Sequence, residues 1–160
     1  MSGREPFAHV VRVHGAAVHR FLVAMAGADR ADDCWQETFL SALEAYPSLR
    51  KPERVRSWLF SIAHRKAVDS HRRAKRDVPV AEPPERAAPE RTPRNGELWS
   101  LVRDLPPKQR AAVAHRFVAD LPYRDVAEVM GTSEEAARRN VHEGLRALRQ
   151  SGGGALRAGG

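Results

Sequence analysis

The chain has 160 residues, 42% of them hydrophobic, which is enough for one domain or two small ones and excludes disorder throughout. A single cysteine, Cys34, excludes an internal disulfide and a Cys-rich metal centre, and no run approaches the roughly 18 apolar residues of a membrane span. The formal charge of +7 points to a polyanionic partner, and it is concentrated: residues 50–77 alone carry a net +7, while residues 1–49 are net negative.

In chain order, Phe7, Val10, Val11, His14, Ala17, Val18, Phe21, Leu22 and Met25 recur at three- and four-residue spacing and predict a first helix over 7–26. The amino terminus is too interrupted by charge and histidine for a signal-peptide core, so a cytoplasmic protein is expected. "GADRADD" reads as a break, with a second helix from Asp32 to Ala45 that places Asp32 and Asp33 at its positive end and stops at Tyr46-Pro47.

A third helix is predicted from Val55 to about Arg76. Its front carries Val55, Trp58, Leu59, Ile62 and Ala63 on one face; its back loses that face and gains Arg72, Arg73, Lys75 and Arg76. Such a helix is anchored at one end and free to lie on nucleic acid at the other, or it carries only a solvated charge run favoured by the helix dipole. Five prolines between Val78 and Asn95 mark a linker.

Helical patterns resume over Leu98–Leu105, Pro107–Ala119 (Val113, Phe117 and Val118 inward), Tyr123–Met130 and Glu134–Gln150, before the glycine-rich tail. Gly131 supplies a turn, and Thr132 with Glu135 matches a capping box that starts the last helix. Two short helices around a glycine turn form the helix-turn-helix pattern. On the last helix Ala137, Val141, Gly144, Leu145 and Leu148 fall on one side, while Arg138, Arg139, His142, Arg146 and Arg149 fall on the other, as a recognition helix requires and as a surface helix of a basic protein also shows.

The blocks "ADDCWQETFLSAL", "SWLFSIAHRKAVDSHRR" and "LPPKQRAAVAHRFVADLPYRDVAEVMGTSEEAARRNVHEGLRALR" together resemble regions two and four of sigma-70 family RNA polymerase sigma factors of the extracytoplasmic-function group. The resemblance spans Phe7 to Gln150. The helical patterns already predict an all-α chain of two small helical domains; with the resemblance these are a region 2 bundle over 1–77 and a region 4 helix-turn-helix over 97–150, joined by the proline-rich, flexible linker over 78–96, and the glycine-rich composition predicts a disordered tail over 151–160.

The resemblance further implies that Asp32, Asp33, Gln36, Glu37 and Phe39 dock on bacterial core RNA polymerase. Arg65, Lys66, Asp69, Arg72, Arg73 and Arg76 would meet the minus-ten element. Glu135, Arg138, Arg139, His142 and Arg146 would meet the minus-thirty-five element. An anti-sigma factor is an expected further partner.

The chain departs from the family pattern at Arg65, where asparagine is common, at Lys66, where an aliphatic residue is common, and at Glu143, where a cation is frequent. The half-apolar setting of Lys66 predicts snorkelling or pairing with Asp69, and Cys34 reads as an apolar filler. No cofactor or metal is expected: the histidines do not share a helix face, and no phosphate loop or nucleophile elbow is present. The competing reading is a stand-alone helix-turn-helix regulator that does not engage polymerase as a sigma subunit. The acidic helix Asp32–Glu44 beside the basic 50–77 segment argues against it.

Overall fold

The computed structural model describes residues 5–77 and 94–158, with side chains placed over 5–76 and 98–151. Among these residues it has seven α-helices and no strand: α1 Phe7–Ala26, α2 Ala28–Ala45, α3 Val55–Asp77, α4 Arg94–Arg103, α5 Pro107–Val113, α6 Tyr123–Met130 and α7 Glu134–Ala158. Most of the linker expected over 78–96 lies outside the described residues, but α4 already starts at Arg94.

Of the α1 stripe Val10, Ala17, Val18, Phe21, Leu22 and Met25 are buried, with Val18, Phe21 and Leu22 fully enclosed, while Phe7, Val11 and His14 are half-buried. The break after it is one residue, not seven. Gly27, at φ 94°, donates its N–H to the Val23 carbonyl and turns the chain directly into α2. The helix-competent residues Ala28 to Ala31 then join α2, so Asp32 and Asp33 lie a turn further in than expected, and Asp29 takes the first-turn position. A side chain at Gly27 would be strained by its positive φ and would also meet the Arg103 guanidinium of α4, 2.7 Å from the Cβ position.

In the first half α1, α2 and α3 pack on one another. Gly15 of α1 faces Trp35 of α2, whose indole N–H donates to the Gly15 carbonyl at 2.8 Å. Phe7, Phe39 and Tyr46 meet edge-on. Cys34 is buried as expected, its thiol pushed above the ordinary value first by burial.

In the second half α7 packs on α5, with Gly144 against Val113, and Ala112, Val113, Ala137, Val141 and Gly144 are all buried. The segment expected as one helix over 107–119 changes register: residues Ala114–Val118 form a π-helical turn. The extra residue per turn rotates the chain, so His115 points inward and fully buried while Phe117, expected inward, is 53% exposed.

Gly131 (φ 64°) closes α6 in the left-handed conformation, with Thr132 N–H bonded to the Ala127 carbonyl and Gly131 N–H to Glu128, a Schellman closure. The cap of α7 is Ser133, whose Oγ accepts the Ala136 N–H at 3.1 Å. Thr132 is therefore one residue outside the cap that the expected box assigned to it, and the position three residues past Ser133 is alanine. α7 also continues through the glycines to Ala158, where the composition predicted disorder from 151. Glycine lowers helix propensity by about 1 kcal/mol per residue but does not forbid the conformation.

The two halves touch. Phe21 of α1 meets Phe60 of α3 edge-on at 5.2 Å and His115 of the π-turn at 4.6 Å. Arg56 donates to the Ala119 carbonyl at 2.7 Å, Arg110 to the Met25 carbonyl at 3.3 Å, and Arg54 to both Asp125 (3.0 Å) and Glu128 (2.6 Å).

Candidate nucleic-acid and polymerase interfaces

The α3 helix divides as its sequence suggests. Leu59, Phe60, Ile62, Ala63 and Ala67 are buried, and beyond Ala67 no described side chain of the helix is. The expected minus-ten set follows from that division: Arg65, Asp69, Arg72, Arg73 and Arg76 are exposed and Lys66 is half-buried. No ion pair joins Lys66 to Asp69 among the described residues. The Lys66 carbonyl lies 3.9 Å from the Cys34 thiol.

Arg65 opens onto a cleft of about 560 Å³ shared with Trp58, Ser61, Arg54 and Lys51 at the front of α3, and closed on one side by Glu128 and Val129 of α6. Arg54 and Lys51 precede the helix in a short turn that carries no sequence period. Nothing but their charge marked them beforehand.

On α2, Asp32, Asp33 and Gln36 are exposed and Glu37 is half-buried. Phe39, expected among the docking residues, is 6% exposed, held at 4.6 Å from Trp35 and edge-on to Phe7. It serves the core of the first half. The apolar part of the exposed α2 face is instead Leu40 (63%) and Leu43 (52%), which continue the row Asp33, Gln36 at three- and four-residue steps. The same spacing in the sequence could have found them, since neither fits the buried stripe of Ala31, Cys34, Thr38 and Ala42.

Two of the expected sets are joined. Glu37 of α2 pairs with Arg73 of α3 at 3.1 Å, and this carboxylate is what raises the arginine further above its ordinary value. Asp32 pairs with His19 of α1 at 2.9 Å.

On α7, Glu135, Arg138, Arg139, His142 and Arg146 are all exposed, opposite the buried Ala137 and Val141. Arg138 is steadied by its own domain, 4.4 Å over the Tyr123 ring and 3.8 Å from Glu134. Arg139 has no such tether among the described residues. Glu143 faces solvent, 3.5 Å from the Gln109 amide.

The histidines converge in a way that spacing within one helix could not reveal. His64 of α3 and His115, fifty-one residues apart, share a 3.0 Å hydrogen bond between ring nitrogens, with the rings stacked at 5.1 Å. Burial, then the charge of neighbouring Arg65, lowers His64; burial, then His64, drives His115 well below its ordinary value. Through this contact His64 packs the two halves against each other. No cluster of three or more metal-ligating side chains occurs among the described residues, and no helix there is long and apolar enough to cross a membrane.

This arrangement matches known proteins over most of its length. Residues 10–77 match the family described as Sigma-70 region 2, and residues 95–148 match Sigma-70, region 4. The ECF RNA polymerase sigma factor SigC of Mycobacterium tuberculosis is 30% identical over 138 residues, covering 82% of this chain and 75% of the relative. RNA polymerase sigma factor SigV of Bacillus subtilis is 26% identical over 125 residues, covering 76% and 75%. Among solved structures, the sigma factor RpoE of Bartonella quintana, crystallised with the anti-sigma factor NepR, has the same fold at a TM-score of 0.75 and 18% identity, covering 90% of this chain and 94% of that one. CnrH, in complex with the cytosolic domain of CnrY, aligns at 0.68 with 22% identity over 95% and 88%. A region 2 bundle and a region 4 helix-turn-helix in this order, on a chain whose cations are sorted to the free faces of α3 and α7, make this protein a member of the sigma-70 family of RNA polymerase sigma factors, in the extracytoplasmic-function group, which direct promoter-specific transcription initiation.

Proposed function

We propose that the chain works by three surfaces: α2 docks on core RNA polymerase, the back of α3 with the cleft at its front engages the minus-ten element as it opens, and α7 reads the minus-thirty-five element in the major groove. The observation that carries this reading is the sorting of exposed groups. Asp33, Gln36, Leu40 and Leu43 give α2 a mixed apolar and acidic face suited to a protein partner. Arg65, Arg72, Arg73 and Arg76 give α3 a cationic face suited to a displaced strand, and the cleft beside Trp58 and Arg65 offers room for an extruded base.

On α7, Arg139 and Arg146 are placed to donate to phosphate or guanine, and Glu135 to accept from cytosine. The chain acts by binding and contributes no catalytic group, in the cytoplasm where polymerase resides. An anti-sigma factor is a further partner, by likeness to the complexes of RpoE with NepR and CnrH with CnrY.

The deciding experiment is size-exclusion chromatography of the folded protein with bacterial core RNA polymerase in the absence of DNA. Co-migration is expected. Separate elution of a folded protein overturns the sigma mechanism in favour of a stand-alone regulator.

A further inference from the structure

A second cavity, of about 350 Å³, lies where the back of α3 meets α5. Its floor is apolar, from Met25, Ala67 and Ala111, and its rim holds His64, His71, Arg72, Lys75, Lys108 and Arg110. No carboxylate lines it. Among the described residues none of Arg72, Lys75, Lys108 and Arg110 has an acidic partner within 4.0 Å.

Arg110 is the most telling of these. It is half-buried, its terminal nitrogens go to the Met25 and Leu105 carbonyls, and its Nε is buried with no hydrogen-bond partner. Burial and neighbouring Arg103 lower it, against the pull of Asp104. His71 is lowered by burial and then by the charges of Arg110, Lys75, Arg30 and Arg103. Arg110 is thus half-buried with an unsatisfied Nε, and the exposed Arg72, Lys75 and Lys108 around it add only positive charge, a combination that favours an anion.

We infer that this cavity binds a phosphorylated small molecule with a planar or apolar body, the chemistry of a nucleotide, with its phosphates on Lys75, Lys108 and Arg72 and its body on the Met25, Ala67 and Ala111 floor. The volume falls in the range of small-ligand sites, and an apolar floor with a few converging polar groups is their usual form. A ligand here bridges the two halves of the chain. It also occupies Arg72 and Lys75, so it competes with the minus-ten strand; that consequence rests on the proposed function, whereas the binding itself does not.

The test is isothermal titration of the full chain with ATP, adenosine and inorganic pyrophosphate at physiological salt. One saturable ATP site is expected, with adenosine and pyrophosphate each binding more weakly than ATP. Lys75 and Lys108 are exposed, so the double variant Lys75→Gln/Lys108→Gln keeps the fold, checked by helicity, and is expected to lower ATP affinity at least tenfold. Arg12→Gln/Arg20→Gln, on exposed α1 positions remote in sequence from the rim, is expected to leave it within twofold. Absence of saturable ATP binding overturns the inference. So does an equal loss in both double variants, which would mean only general attraction of an anion to a basic protein.

Discussion

Arg139 and Arg138 are neighbours on α7 with the same charge, yet the fold treats them differently. Arg138 lies over Tyr123 and beside Glu134, while Arg139 is exposed and has no such tether among the described residues. Arg139→Ala is accordingly expected to lower promoter-specific transcription, by an amount equivalent to about 1–3 kcal/mol if it reads a base, with core polymerase binding unchanged. Equal loss of both activities would remove α7 from the recognition role. At the cap, Ser133→Ala is expected to destabilise by about 1 kcal/mol in a denaturant titration and Thr132→Ala by much less, because only Ser133 accepts a helix N–H.

Among elements, α2 and α7 show how packing decides which residues remain available. Phe39 is spent on the core, so the exposed apolar side chains of the proposed docking face are Leu40 and Leu43. Leu40→Ser/Leu43→Ser is expected to weaken co-migration with core polymerase while far-ultraviolet circular dichroism stays unchanged; Phe39→Ala is expected to cost about 3–5 kcal/mol of stability instead. On α7 the close approach to α5 depends on Gly144, where a Cβ would stand 2.7 Å from Val113 Cγ2. Gly144→Ala therefore trades a small gain in helix propensity for overpacking of about 1–3 kcal/mol, read as a lowered denaturation midpoint.

At the scale of the whole molecule, the halves are closed on each other through His64–His115, Arg56–Ala119 and Arg54 with Asp125 and Glu128. A compact chain of this length is about 40 Å across, whereas promoter elements centred 25 base pairs apart stand about 85 Å apart at 3.4 Å per pair. On the proposed division of the two elements between the halves, the halves separate to read both, so fluorophores on α1 and α7 are expected to lose energy transfer when core polymerase and promoter DNA are added.

The histidine pair gives the closed form a pH signature. Both rings titrate below 6.5 in the folded chain, so the unfolded chain takes up protons that the folded one refuses. The pair's contribution to stability is full above about pH 6.5 and is lost as pH drops below it. His115→Phe is expected to flatten that dependence in urea titrations at pH 5 and pH 7.5.

The amino-acid sequence by itself determined the helical class, the two blocks, the glycine turn of the helix-turn-helix and the sorting of charge along α3 and α7, because these are local periodicities and turn chemistries that neighbours along the chain dictate. The tertiary structure alone decided the rest. Phe60 belongs to the packed front of α3, and what covers it is Phe21 of α1, edge-on at 5.2 Å. His115 is inward because a π-turn shifts the register, and its partner is half a hundred residues away. Arg54, Arg110 and the cavity between α3 and α5 acquire their surroundings only when two separately legible units close on one another, a contact that no spacing within either unit encodes.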